Sequence, residues 1–171
     1  MVRGVLAIDG EKMASHAGGQ DWLVSWHPPG DEPTGHPHGA SGVCVAGAHL
    51  VLISHDGVHW GFPGGRPEEG ETFEETLRRE VWEEACVKVV SARLLGFVRS
   101  QCVAGHELGL VLVRSIWRAE VEVRPWRPEF EVAHRRIVPA SEAAAHVCDP
   151  DEASGRITHR ALAEAGLRGS A

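Results

Sequence analysis

Apolar positions follow two different periods along this chain. GVCVAG (Gly42–Gly47) and HLVLIS (His49–Ser54) are β-branched or Leu-rich runs split by Ala46-Gly47-Ala48. Two such runs around a glycine turn predict a hairpin. Further strand-like runs cover Lys88–Val103, Leu108–Ala119 and Glu129–Val138. Thr72–Ala85 reads differently. Phe73, Leu77, Val81 and Ala85 recur every fourth residue, no Pro or Gly interrupts, and Glu68, Glu69 and Glu71 precede or open the segment. That spacing, with acids at the start, predicts a helix. A short helix is expected from Ser141 to His146 and a last one over Arg156–Ala165. Strands, one helix, strands and a final helix, without regular alternation, indicate an α+β domain.

The first 39 residues fit this pattern poorly. Val5–Ile8 and Trp22–Trp26 predict short strands, and the Pro-, Gly- and His-rich run His27–Gly39 predicts a loop. We therefore expect a poorly packed N-terminal extension over 1–39, one domain over 40–167 and a tail over 168–171. His27, His36 and His38 leave a metal site and a plain solvated loop both open. At 171 residues the chain suits a single domain. Its net charge of −7 argues against non-specific nucleic-acid or membrane partners. Cys44, Cys86, Cys102 and Cys148 form no CxxC pair, and Cys44 and Cys102 lie in apolar runs, as buried thiols do. With no long apolar segment, the expectation is a soluble cytoplasmic protein.

Charge on the helix changes the picture. Glu80, Glu83 and Glu84 lie within one turn near its end. Like charges three and four residues apart repel, and so does the negative end of the helix dipole. With Glu80 at zero on a helical wheel, Glu84 falls at about 40° and Glu83 at about 300°, while the apolar stripe spans about 20° to 140°. Glu84 thus sits at the edge of the stripe that should be buried, where a carboxylate needs a cation or donors. Arg79 supplies one cation for three acids. Closely spaced carboxylates suit a hard divalent ion, Mg²⁺ or Mn²⁺, and Pro63-Gly64-Gly65 brings exposed backbone close by.

These residues resemble the box of the Nudix hydrolase family, G-x5-E-x7-R-E-U-x-E-E-x-G-U with U aliphatic. Gly65 is followed at the family's intervals by Glu71, Arg79, Glu80, Val81, Glu83, Glu84 and Val87, after the lead-in Trp60-Gly61-Phe62-Pro63-Gly64. The family's final glycine is replaced by Cys86. If that position caps the helix in the left-handed conformation, its Cβ costs about 1 kcal/mol.

The resemblance implies a Nudix-type α/β/α sandwich with a mixed central sheet. It also implies a pyrophosphohydrolase that cleaves a nucleoside diphosphate linked to another moiety by water attack, with Mg²⁺ or Mn²⁺ as cofactor. Carried onto this chain, Glu80, Glu83 and Glu84 become metal ligands, assisted by the Gly64 carbonyl. Arg79 orients the carboxylates and Glu71 pairs with it. Glu83 and Glu131 are candidate bases, Glu131 because Pro128–Pro139 is similar to a downstream family stretch. Trp60 beside the glycines is a candidate to flank a nucleobase, and Arg135 and Arg136 are candidate phosphate contacts. Trp82 points away from the acids and reads as a packing or interface residue, the latter in a homodimer. The alternative is a nucleotide-sensing module without turnover. Such modules usually lose box acids, and this chain retains Arg79, Glu80, Glu83 and Glu84. An isoprenyl diphosphate isomerase would need a reactive thiol in a His/Cys-rich loop, and Cys44 lies in an apolar run instead.

Overall fold

The most apolar of the short runs becomes a strand that buries both of its faces. In the computed structural model, which describes residues 4–130 and 132–167, the run His49–Ser54 is strand β4. Its Leu50 and Leu52 enter one core while Val51 and Ile53 enter the other. Burial on two sides explains a continuous apolar run where a one-sided strand would alternate. The remaining strands are β1 (Met13–Ala17), β2 (Gln20–His27), β3 (His36–Ala46), β5 (Gly64–Gly65), β6 (Val87–Ala104), β7 (Val111–Val123) and β8 (His134–Pro139). They form one sheet in the order β1-β2-β6-β7-β3-β4-β8, with β5 on β3. All pairs are antiparallel except β3 with β7, so the sheet is mixed.

Helix α1 (Phe73–Ala85) covers one face through Leu77, Val81 and Ala85, against Ala40, Cys44, Ala119 and Val121. On the other face lie α2 (Ala143–His146) and α3 (Glu152–Glu164), where Ala161 and Leu162 join the core of Trp26, Leu50 and Ile116. Helices on both sides of one sheet make the expected three-layer α/β/α sandwich. Helix α1 starts as predicted: Thr72 is its N-cap and shares a reciprocal capping box with Glu75. It ends on Cys86 in the left-handed conformation, φ 52° and ψ 47°.

The N-terminal region departs from expectation in three ways. Val5–Ile8 forms no strand, and Val5 and Ile8 stay exposed. Met13–Ala17, a run with little β-propensity, does form one because it pairs with β2 across the Gly18-Gly19 turn. Both glycines have positive φ, 61° and 72°, as a two-residue hairpin of this hand requires. Finally, His36–Gly39 opens β3 and pairs with β7, although it was expected to be loop. The region is well packed: Trp26 has no exposed surface, and β2 pairs with β6 from Asp21 to His27. Residues 4–39 therefore contribute β1 at the sheet's edge, β2 beside it and the start of β3 to the same sheet as the rest of the chain.

Candidate active site

The site grows from the contact between β5 and the last turns of α1. A Cβ on Gly65 would overlap the Glu80 carboxylate, and one on Gly64 would overlap the Ala40 carbonyl. Only glycine lets the backbone pass this close to the acids. The Gly64 N–H donates to Glu84 Oε2 at 2.9 Å, so the glycine pair and the acidic helix are joined directly.

Arg79 organises three of the acids. Its Nε and Nη2 donate to the two oxygens of Glu71 at 2.6 and 2.9 Å, a bidentate pair. Its Nη1 donates to Glu80 at 2.9 Å and, at the longer 3.4 Å, to Glu83. Nη2 also reaches the Arg66 carbonyl at 2.9 Å. Glu71 is held down at about 2, first by the Arg79 hydrogen bond and then by the Glu68 N–H. Arg79 is pushed the opposite way by the same pairing, Glu71 before Glu80.

Glu84 is the exception. It is half-buried, and among the described residues no ion pair reaches it. Burial pushes its carboxyl up; the Gly64 N–H opposes that shift and the Glu80 charge adds to it. A carboxylate with one protein donor, facing a like charge, is a group that a cation would stabilise. The donor set of Glu80, Glu83 and Glu84 with nearby backbone oxygens suits Mg²⁺ or Mn²⁺. Among the described residues, no three His, Cys, Asp or Glu side chains form a ready-made cage. Mg²⁺ tolerates this, since it keeps waters and substrate phosphates in its shell.

Beside the acids, on the α3 side of the sheet, opens a cavity of about 790 Å³. Arg66, Arg114, His36 and His38 line it together with apolar Trp22, Leu112 and Ile116. Ser15 and Gln20 from the N-terminal strands, Asp149 ahead of α3 and Thr158 within it complete the wall. Thr158 donates to Asp149 at 2.7 Å, and burial pushes the Asp149 carboxyl up. Arg114 and Asp149 were missed in the sequence. For Arg114 a signal existed: it interrupts Leu112 and Ile116 on one face of a strand, where an apolar residue would be expected.

The box residues Gly64, Glu71, Arg79, Glu80, Glu83 and Glu84 are thus brought together, but the other expected contacts are not. Trp60 is only 8% exposed and packs in the α3-side core. The Arg136 guanidinium lies 4.0 Å over its ring and His134 meets it edge-on, so neither Trp60 nor Arg136 reaches the cavity. Arg135 instead donates to the carbonyls of Ala85, Cys86 and Arg124 at 2.9, 3.3 and 2.9 Å. It supplies from β8 the cation that the acidic C-terminus of α1 lacks within its own last turn. Glu131 lies outside the described residues. His27 is held by Ser25 and Asp31 and does not line the cavity with His36 and His38.

A family model for the NUDIX domain matches residues 36–160. The chain belongs to the Nudix family. An 8-oxo-dGTP diphosphatase from Proteus vulgaris is 47% identical over 75 residues, covering 43% of this chain and 66% of that protein. The matched stretch spans between 48% and 66% of the length of the curated relatives it resembles. Among solved Nudix structures, the Bacillus subtilis pyrophosphohydrolase BsRppH aligns with a TM-score of 0.58 and 27% identity. That alignment covers 68% of this chain and 71% of the other. A MutT Nudix hydrolase from Burkholderia pseudomallei aligns at 0.52 and 22% identity over 75% and 98%, a likeness of fold. The Nudix match begins at His36, so β1 and β2 lie outside it.

Proposed function

We propose that this Nudix chain is a metal-dependent pyrophosphohydrolase acting on a nucleoside diphosphate linked to another moiety. One observation carries the reading. Glu80 and Glu84 meet the Gly64-Gly65 backbone, Glu83 is tied to Glu80 through Arg79, and Arg66 and Arg114 line the neighbouring cavity. Acids alone would repel a pyrophosphate, and cations alone would bind it without activating water.

Glu80, Glu83, Glu84 and the Gly64 carbonyl would hold Mg²⁺ or Mn²⁺. Bound there, the ion neutralises phosphate charge and acidifies water. Arg79 fixes the carboxylates Glu71, Glu80 and Glu83 so that their geometry does not depend on the ion. Water attacks one phosphorus, its proton passes to a carboxylate, and the bridging P–O bond breaks to release the second phosphate group. Glu83 and Glu131 are the candidates for that base. The names of relatives support a purine nucleoside triphosphate as the first substrate to try.

The test is release of phosphate, pyrophosphate or nucleoside monophosphate from a substrate panel with Mg²⁺ and with EDTA. The panel holds nucleoside triphosphates including 8-oxo-dGTP, dinucleoside polyphosphates, nucleotide sugars and ADP-ribose. Turnover that survives EDTA would refute the metal mechanism. Binding without turnover on every substrate would favour a sensing module instead.

A further inference from the structure

Four basic side chains, Arg66, Arg114, His36 and His38, line the cavity within reach of one another's charge, with Glu107 also near His38. Their grouping is unfavourable in the protein alone. His38 is held below the ordinary imidazole value by burial first, then by Arg114, Arg66 and His36, with Glu107 opposing. Arg114 is pushed down by burial, and the charge of Arg66 adds to this, while Glu84 and Glu80 pull the other way.

Arg114 is also poorly partnered. Among the described residues, no carboxylate oxygen lies within 4.0 Å of its nitrogens. Its hydrogen bond is from Nη1 to the Ser41 hydroxyl at 2.9 Å. A guanidinium presents five N–H donors in a fixed fork, so most of these find no protein acceptor. Room has been made for it: a Cβ on Gly39 would stand 2.7 Å from Arg114 Cζ. Leucine at this strand position would pack more cheaply. A half-buried guanidinium whose spare donors open onto the cavity, beside two imidazoles and a second guanidinium, suits an anion with several oxygens. Phosphate fits this geometry, because the Arg fork matches two of its oxygens at once.

We propose that Arg114, with Arg66, His36 and His38, forms a phosphate subsite on the cavity side of Glu80 and Glu84 that binds without the metal. It rests on the hydrolase reading for its place in the reaction and stands apart from it for affinity. The phosphate it holds is the one bonded to whatever fills the cavity. The acids then act on the neighbouring phosphate, which fixes the direction in which a substrate lies.

Calorimetric titration in EDTA tests the subsite, with inorganic pyrophosphate and dGTP as probes. The wild-type chain is expected to bind both, and Arg114→Gln to bind each at least about tenfold more weakly. Arg114→Lys should fall between them, since an ammonium keeps charge and loses the fork. Glu84→Gln should lose nothing, because it removes a negative charge near the anion. Equal affinity for wild type and Arg114→Gln, or no metal-free binding by wild type, overturns the proposal. Should Arg114→Gln fail to fold, the double variant Arg66→Gln/His38→Asn is judged by the same criterion. A chain that turns nothing over with Mg²⁺ but loses metal-free binding on Arg114→Gln would keep the subsite and refute the hydrolase. Turnover with Mg²⁺ and unchanged binding by Arg114→Gln would do the reverse.

Discussion

Arg79 and Arg114 are the same residue in two opposite settings, both close to the Gly65-Arg66 backbone. Arg79 is saturated: it holds Glu71, Glu80, Glu83 and the Arg66 carbonyl. Arg114 has one serine hydroxyl. A saturated cation organises its neighbours and is spent in doing so. An unsaturated one raises the energy of the empty protein and lowers it again when an anion arrives. The first belongs to the architecture of the acids and the second to what they act on.

That contrast can be broken most decisively at Glu84, with which neither arginine forms an ion pair among the described residues. Glu84→Gln keeps the shape and the Gly64 hydrogen bond but removes the charge. Its kcat with Mg²⁺ is expected to drop by at least about 10²-fold in steady-state assays. Near wild-type rates would refute the ligand role. The next effect separates the two arginines by stability. Arg79→Gln leaves Glu71, Glu80 and Glu83 facing one another without their cation, at an expected cost of about 2 kcal/mol in urea unfolding. Arg114→Leu removes a half-buried guanidinium whose hydrogen bond is to the Ser41 hydroxyl, and is expected to be neutral or stabilising by the same measurement. Equal destabilisation by both changes would erase the distinction.

Smaller effects refine it. Cys86→Gly relieves a side chain from the left-handed conformation at the end of α1 and should stabilise the chain by roughly 0.5–1 kcal/mol. No gain in thermal midpoint would mean that the thiol's 3.4 Å contact with the Arg127 carbonyl offsets the strain. The last prediction concerns acid. Glu71 has its folded-state value depressed to about 2 by Arg79, so its contribution is fully present above the ordinary glutamate range. It disappears as pH falls from about 4.5 towards 2. The stability difference between wild type and Glu71→Gln should stay constant at neutral pH and shrink through that window. A constant difference down to pH 2 would contradict the pairing.

The acidic helix was legible because its chemistry contradicts its local physics: three glutamates stand where the helix end and the apolar stripe both disfavour them. Strand β4 was legible from its unbroken apolar run, and the αL cap from the position of Cys86. Strand β1 was not, since MASHA has no β pattern and is held by its partner across Gly18-Gly19. Arg135 and Arg136 misled for a related reason. Adjacent arginines look like an anion site, yet one caps a helix end 50 residues earlier and the other covers Trp60. Partners that distant are fixed by the strand order, which local sequence does not encode. Arg114 was readable as a charge interrupting an apolar strand face, but that face could be identified as a cavity wall only once β1, β2 and α3 were in place.

Strands β1 and β2 also draw a boundary through the molecule that no sequence feature marks. They contribute Ser15, Gln20, Trp22 and Val24 to the cavity wall, while all of the box acids come from the stretch shared with the family. The box acids lie in the stretch that the family model covers, and part of the cavity wall lies ahead of it. Substitutions at Ser15 or Trp22 are therefore expected to change which substrate the cavity accepts while the box acids stay in place.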